Sequence, residues 1–304
     1  MRGEWVIGLD LGGTKIAGGL VRLPEGRIVE RRIVPTRRRR APARVLEDAI
    51  AMARALARRA PRPPGGVGIG VPELVDPRGR VISGQSIDWR GIRVERRFKE
   101  FGRVRVEADV RASALAEARF GAGRNRRSFV YVTIGTGISS TLVVGGVPFA
   151  GARGNALVMA SAPTTIPCAR CGRLVSAVLE RVASGPALAR RFGGRSEEVL
   201  AAARRGHARA GRIVREAATA LGSGLGFLVN VLDPEAVVVG GGLGTAKGPY
   251  WRALVASTRR HIWAPATRRL PIVQAKLGAD AGVIGAAACA GSDAFDGSAP
   301  PPDA

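Results

Sequence analysis

At 304 residues and 31.7 kDa, with 46% hydrophobic residues, the chain is long enough for two packed lobes and too apolar to be disordered. It has no apolar run of membrane-spanning length, no signal-peptide pattern in "MRGEWVIGLD", and three cysteines, too few for a disulfide framework, so a reducing cytoplasm is the expected setting. The net charge of +24 is mostly arginine (only Lys15, Lys99, Lys247 and Lys276 are lysines) and is spread along the chain, which argues against a dedicated nucleic-acid surface while still attracting anionic substrates.

In chain order, "WVIGLDLGG", "KIAGGLVRL" and "GRIVERRIV" read as three short strands with tight turns between them, hence antiparallel neighbours. The run Arg37–Arg40 reads as a solvated loop. "ARVLEDAIAMARALARRA" reads as a helix, with Val45, Leu46, Ala49, Met52, Ala53 and Leu56 at one-face spacing. "GVGIGV", residues 66–71, is a buried-type strand ended by Pro72, and residues 73–98 look irregular. Val104–Val106 reads as a strand and the Ala-rich run from Arg111 as a helix, with Asp109 at the junction in N-cap position. From Phe129, "FVYVTIGTGISSTLVVGG" repeats the strand, glycine turn and strand of "VIGLDLGGTKIAGGLV", which points to two related lobes facing each other. A loop-rich piece with "CARC" and several Ala/Arg helices follow. "NVLDPEAVVVGGGLG" then reads as a helix end, a turn, a buried strand and a glycine cluster, and the tail "GSDAFDGSAPPPDA" as disordered.

Three glycine stretches could approach a phosphate or a nucleoside closely. In "DLGGTK", Gly12 and Gly13 bare the backbone, Thr14 and Lys15 offer a hydroxyl and a cation, and Asp10 could hold a hydrated Mg²⁺. Gly135, Thr136 and Gly137 form the echo of that turn, so two hairpins could pinch a polyphosphate. Gly240, Gly241 and Gly242 would clear space for a base or its ribose. None of these is a P-loop or a dinucleotide fingerprint.

Together these stretches resemble the ROK family of sugar kinases. "GLDLGGTKIAGGLV" and "YVTIGTGISSTLVVGGVPFAGARGNA" are similar to its two phosphate motifs, "GIGVPELVDPRGRVISGQSIDWRGI" to the segment leading to the sugar cleft, and "LVNVLDPEAVVVGGGL" to its adenosine motif. The resemblance implies an α/β, two-lobed actin-like ATPase (ribonuclease H-like) fold with a central cleft. A small lobe would cover residues 1–118 and a large lobe residues 119–278, with a helix near 279–291 packing back on the small lobe and a tail over 292–304. It implies ATP and Mg²⁺ as cofactors, a sugar or sugar-like acceptor such as a hexose or cyclitol, and no membrane partner. A homodimer is the expected assembly. The family's catalytic acid closes a Glu-Asn-Asp triplet, here Glu107, Ala108 and Asp109, so Asp109 is expected to take the acceptor hydroxyl's proton, with capping as support.

Departures from the family pattern cluster at the sugar-reading end. Its Glu-x-Gly-His motif is replaced by Val158–Ser161, the triplet's Asn by Ala108, and the Asn ahead of the Trp by Ser86, while Glu180 matches a second sugar-binding acid. The family's zinc site is reduced to Cys168 and Cys171, with Val178 where a third cysteine would stand; no zinc is expected, and the pair reads as a vestigial loop. Cys289 reads as a small core residue. Three alternatives compete with an ATP-dependent kinase. A sugar-sensing repressor would need a helix-turn-helix domain, and only nine residues precede Asp10. A silent ligand-binding protein fits poorly with Asp10, Lys15 and Asp109. A kinase using polyphosphate would suit the charge.

Overall fold

The computed structural model describes residues 4–23, 25–36, 41–168 and 170–291. The Arg37–Arg40 run and the tail from residue 292 lie outside the described residues. The chain forms two compact units. One takes the residues up to Asn125, Val143–Ala156 and the residues from Ala279; the other takes Arg126–Leu142 and Leu157–Gly278.

The first unit opens with strands β1 (Glu4–Leu11), β2 (Lys15–Leu23) and β3 (Arg27–Pro35), then helix α1 (Pro42–Ala57), strand β4 (Gly66–Val71), helix α2 (Val94–Arg97), strand β5 (Arg103–Ala108) and helix α3 (Asp109–Phe120). Its sheet runs β3-β2-β1-β4-β5. The glycine and Gly26 turns are too short for a crossover, so β1, β2 and β3 pair antiparallel. β4 and β5, each reached by a longer excursion, pair parallel. The apolar stripe of α1 is buried as its spacing requires: Val45, Leu46, Ala49, Met52, Ala53 and Leu56 all lie in the core with Leu9, Leu20, Val67 and Ile69. The 73–98 stretch is more ordered than its composition suggests. Val75 and Val81 bridge across a turn closed by the Asp76 carboxylate, which accepts the Arg78 and Arg80 N–H groups at 3.0 and 2.8 Å.

The second unit contains β6 (Ser128–Ile134), β7 (Ile138–Val144), β8 (Val147–Pro148), a hairpin of β9 (Pro163–Pro167) and β10 (Leu174–Val178), helices α4 (Leu179–Ala183), α5 (Gly185–Phe192), α6 (Ser196–Arg204) and α7 (Ala208–Leu232), strand β11 (Val237–Gly240), helix α8 (Pro249–His261) and strand β12 (Ile272–Gln274), with the β8 region clustering with the first unit. The β9–β10 hairpin frames the two cysteines in what the sequence presents as loop. α7 ends where Asp233 turns left-handed (φ 41°) ahead of Pro234. The sheet order here is β12-β11-β6-β7-β8. Read from the hairpin side, that is the order of the first sheet again, with β11 and β12 parallel to β6 as β4 and β5 are to β1. The sequence echo is therefore an echo of topology.

The final helix, α9 (Ala281–Ala290), belongs to the first unit and packs on β1, β4 and α3. Every residue of it is buried, so it shows no polar face at all. It approaches so closely because glycine lines both surfaces. A Cβ at Gly8 would collide with the Val283 carbonyl, one at Gly68 with that of Ala286, and one at Gly285 with that of Ala112. Backbone obstacles cannot rotate away. Gly68→Ala is therefore expected to cost at least about 1–3 kcal/mol, the usual range for overpacking. Urea unfolding of the variant checks this, and an unchanged midpoint would refute the close-packed contact.

Candidate active site

The site of the first unit is made by three parallel strand ends. Gly70 pairs with Asp10 on one side and Glu107 on the other, and Val71 pairs with Ala108. The carboxyl ends of β1, β4 and β5 thus collect Asp10, Glu73, Glu107 and Asp109 in one place, where ligands of open α/β sheets bind. Gly70 has no side chain to fill the space: a Cβ there would lie 3.8 Å from both the Asp10 carboxylate and the Asp109 Cα.

Asp109 is half-buried, and its carboxyl is raised to about 7, first by desolvation and then by the Asp10 charge, with a smaller push from Glu73; the Val110 N–H and Arg111 pull the other way. Asp10 is raised as well, by burial, with Lys15 opposing. Its carboxylate lies against the first turn of α9, where a Cβ on Gly282 would be 2.6 Å from Oδ2. The expected capping role of Asp109 does not hold. Ala108 occupies the N-cap position of α3 with no polar side chain to accept a first-turn N–H, and Asp109 is the first helical residue. Ala108's own N–H goes to Glu107 Oε1 at 2.8 Å.

Glu107 and Arg111 form a buried ion pair, Nε to Oε1 at 2.7 Å, and the same guanidinium donates to the carbonyls of Val75 (2.6 Å) and Gly154 (3.1 Å). Arg111 thereby joins α3, the loop after β4 and the loop after β8.

The turn Gly12–Thr14 is held by a residue that sequence reasoning passed over. Thr36 Oγ1 donates to the Gly12 carbonyl at 2.8 Å, and the Thr36 N–H donates to the Thr14 carbonyl at 2.9 Å. Among the described residues, no acceptor takes the N–H groups of Gly13 and Thr14. Gly13 has no conformational or packing reason to be glycine: its φ is not in the left-handed region, and a Cβ there would meet nothing within 4 Å. Lys15 starts β2 with an exposed side chain.

In the second unit, Gly135 and Gly242 share that property, with open space where a side chain would be. Gly240 and Gly241 are different. A Cβ at the first would strike the Tyr131 hydroxyl and at the second, which has φ 79°, the Ile134 backbone, so internal packing alone demands glycine there. Glu180 is bound to the Gly135–Gly137 turn: its Oε2 accepts the Ile138 N–H at 2.8 Å, and a Cβ on Gly137 would lie 3.0 Å from that oxygen. The N–H of Gly185 also donates to the Gly135 carbonyl at 2.9 Å. The turn is thus braced from two helices.

Val158–Ser161 presents an exposed Val158 and Ser161, while Met159 packs on the core of the second unit and the Ala160 carbonyl accepts the Glu180 N–H at 3.0 Å. The preceding Leu157 is strained, with φ 56° in a region that leucine seldom enters. Cys168 and Cys171 sit in a tight turn, with the Gly172 N–H on the Cys168 carbonyl at 2.8 Å. The Cys168 thiol is held below its usual range by the Arg170 and Cys171 N–H groups. Among the described residues, no three His, Cys, Asp or Glu side chains come together as a metal site. Cys289 is buried in α9, and burial pushes its thiol well up.

Two sheets of repeated topology, with acids at parallel strand ends and bare glycine turns, define a phosphotransferase of the actin-like ATPase fold. The ROK family profile matches residues 6–292, and the chain belongs to that family. It is a carbohydrate kinase. It is 32% identical to a glucokinase of Streptomyces coelicolor over 92% of this chain and 96% of that one. Among solved structures, it is similar to a ROK family glucokinase from Streptomyces griseus in complex with glucose and AMPPNP, with TM-score 0.80 and 31% identity over 94% of this chain and 99% of that one. A ROK hexokinase from Thermus thermophilus gives TM-score 0.76 and 34% identity over 93% and 97%.

Two outcomes follow from this geometry. Asp109→Asn is expected to lower turnover by about 10²–10⁴-fold while nucleotide binding persists. The wild-type kcat/KM is expected to rise with pH through an inflection near 7, as the Asp109 carboxyl ionises. Because its folded value lies above the ordinary 3.8, stability contributed by the protonated form is lost as pH rises from about 4 through 7, and Asp109→Asn should raise Tm at pH 8 more than at pH 4. A mutant with wild-type turnover would falsify the assignment. Separately, Gly13→Val should leave urea stability within about 0.5 kcal/mol, as for a surface change, yet weaken ATP binding measured by calorimetry at least about tenfold. Unchanged affinity would mean that the bare turn does not meet the nucleotide.

Proposed function

We propose that the protein transfers the γ-phosphoryl group of ATP to a hydroxyl of a sugar or sugar-like compound, a hexose or a cyclitol. Asp109 carries this reading. A half-buried carboxyl at a strand-to-helix junction, raised to about 7, is matched to removing a hydroxyl proton near neutral pH, and phosphoryl transfer asks for little else from a side chain. As the acceptor oxygen bonds to the γ-phosphorus, the bond to the bridging oxygen breaks, ADP leaves, and the acceptor's proton passes to Asp109.

Asp10 fits the role of Mg²⁺ holder. It is an inner carboxylate beside a second one, with Lys15 as its opposing charge, so added positive charge would relieve both acids. When bound, the ion would neutralise charge on the phosphate oxygens. The free N–H groups of Gly13 and Thr14, together with the open faces of Gly135 and Gly242, suit phosphate and nucleoside. The AMPPNP and glucose in the Streptomyces griseus relative support ATP and a sugar in general. The charge of +24 leaves polyphosphate as the competing donor.

We further propose that glucose is not the preferred acceptor. Val158–Ser161 offers neither an acid nor a histidine, Ala108 offers no amide, and Glu180 spends one oxygen on Ile138. Each missing polar partner forfeits about 0.5–1.5 kcal/mol, so several together weaken hexose binding by powers of ten. An ADP-release assay over glucose, amino sugars and cyclitols, run with ATP and with polyphosphate, tests both points. The expected result is ATP-dependent turnover that is best on a modified sugar or cyclitol. A glucose KM below about 1 mM with ordinary turnover would overturn the acceptor preference.

A further inference from the structure

Glu73 is the acid at the strand ends that neither the phosphate turn nor the catalytic triplet uses. It follows Pro72 at the end of β4 and is 5% exposed. Its side chain folds over one loop and one only. Oε1 accepts the N–H groups of Ser86 (2.5 Å) and Ile87 (2.8 Å), and Oε2 accepts the N–H of Gln85 (2.9 Å) and the hydroxyl of Ser83. The Ser83 oxygen in turn accepts the Leu74 N–H at 2.8 Å, so the loop is tied back to the residue next to Glu73. Four donors fill the acceptor capacity of one carboxylate.

Three of those donors are consecutive backbone amides, Gln85, Ser86 and Ile87. The clasp therefore sets backbone direction, and the exposed side chains of Ser86 and Asp88 are carried along with it. Gly84 contributes to the same shape: a Cβ there would lie 2.6 Å from the Asp88 carboxylate. On the far side the loop is anchored by Trp89, fully buried, whose indole N–H donates to the Pro42 carbonyl at 3.0 Å. An exposed loop that is pinned at both ends and through its middle is a rigid wall. Its pin lies beside the proposed base.

We propose that Glu73 is the positioning residue for acceptor recognition: by taking up the amides of residues 85–87 it fixes the wall that carries Ser86 toward the acceptor. This rests on the kinase reading above. Glu73 does not touch the acceptor, because its oxygens are occupied. Its charge has a second effect, since it is one of the acids facing Asp109, with Asp10 on the same side of the balance and Arg111 opposing.

Glu73→Gln tests this. The amide replaces one acceptor oxygen by an NH₂ group that would face N–H donors, so part of the clasp must open. Steady-state kinetics with ATP and the best of glucose, N-acetylmannosamine and myo-inositol should show the acceptor KM raised at least about tenfold, with the ATP KM within about twofold. The acidic inflection of kcat/KM should move to lower pH, because a negative neighbour of Asp109 is gone. Glu73→Asp should restore part of the acceptor affinity. If Glu73→Gln does not fold, Ser83→Ala removes one bond of the clasp and should raise the acceptor KM by a smaller factor, again without changing the ATP KM. Unchanged acceptor KM, or equal rises in the acceptor and ATP KM, overturns the inference while the wild-type turnover upholds the kinase reading. No wild-type turnover on any acceptor with either donor overturns both.

Discussion

Acids held together by a sheet register are the constraint from which the rest of this structure follows. Parallel pairing of β1, β4 and β5 fixes Asp10 and Glu107 on either side of Gly70, and the chain reverses into α3 one residue after Ala108. Asp10 and Glu73 both act on Asp109 through their charge, and each acid of the group has different partners. Glu107 is neutralised by Arg111, Glu73 is saturated by amides, and Asp10 has the charge of Lys15 nearby. Asp109 has its carboxyl raised to about 7, and Asp10 is raised in the same direction by burial.

Holding those strand ends still requires a backing layer, and α9 supplies it from the far end of the chain. Backbone can touch backbone between packed elements only where a side chain is missing, which is why glycine stands at positions 8 and 68 against α9 and at 285 against α3. The same closeness puts Gly282 against the Asp10 carboxylate, so the helix that secures the core also encloses part of the site. Packing and chemistry share the contact.

In each unit, polar side chains near the glycine turns and strand ends are satisfied by the protein itself. Arg111 and Glu73 spend their hydrogen bonds on backbone carbonyls and amides of neighbouring loops, and Glu180 spends one oxygen on the glycine turn. Polar side chains satisfied in this way fix loop and turn geometry and have less capacity left for any ligand.

Much of this was legible in the sequence alone. The apolar spacing of α1, the glycine hairpins, the buried strands of "GVGIGV" and "AVVVG", and Asp109 at a strand-to-helix junction are local patterns, and local patterns survive translation into structure. The repeat of "VIGLDLGGTKIAGGLV" in "FVYVTIGTGISSTLVVGG" even carried the shared strand order. Other features were hidden because they depend on partners distant in the chain. Glu73 and Thr36 were passed over, since an acid after a proline and a threonine before an arginine run have no pattern of their own. The glycines of "VVVGGGLG" looked alike, yet Tyr131 and Ile134 demand two of them while Gly242 stays open. Capping by Asp109 failed by a single residue, because the pairing of β5 with β4 runs through Ala108 and starts the helix immediately after it. Sequence determined the elements and the kinds of chemical groups, since periodicity and turn chemistry act over a few residues. Only tertiary structure decided how each acid titrates, because the charge around Asp109 is set by Asp10 and Glu73, which strand pairing brings to it from distant parts of the chain.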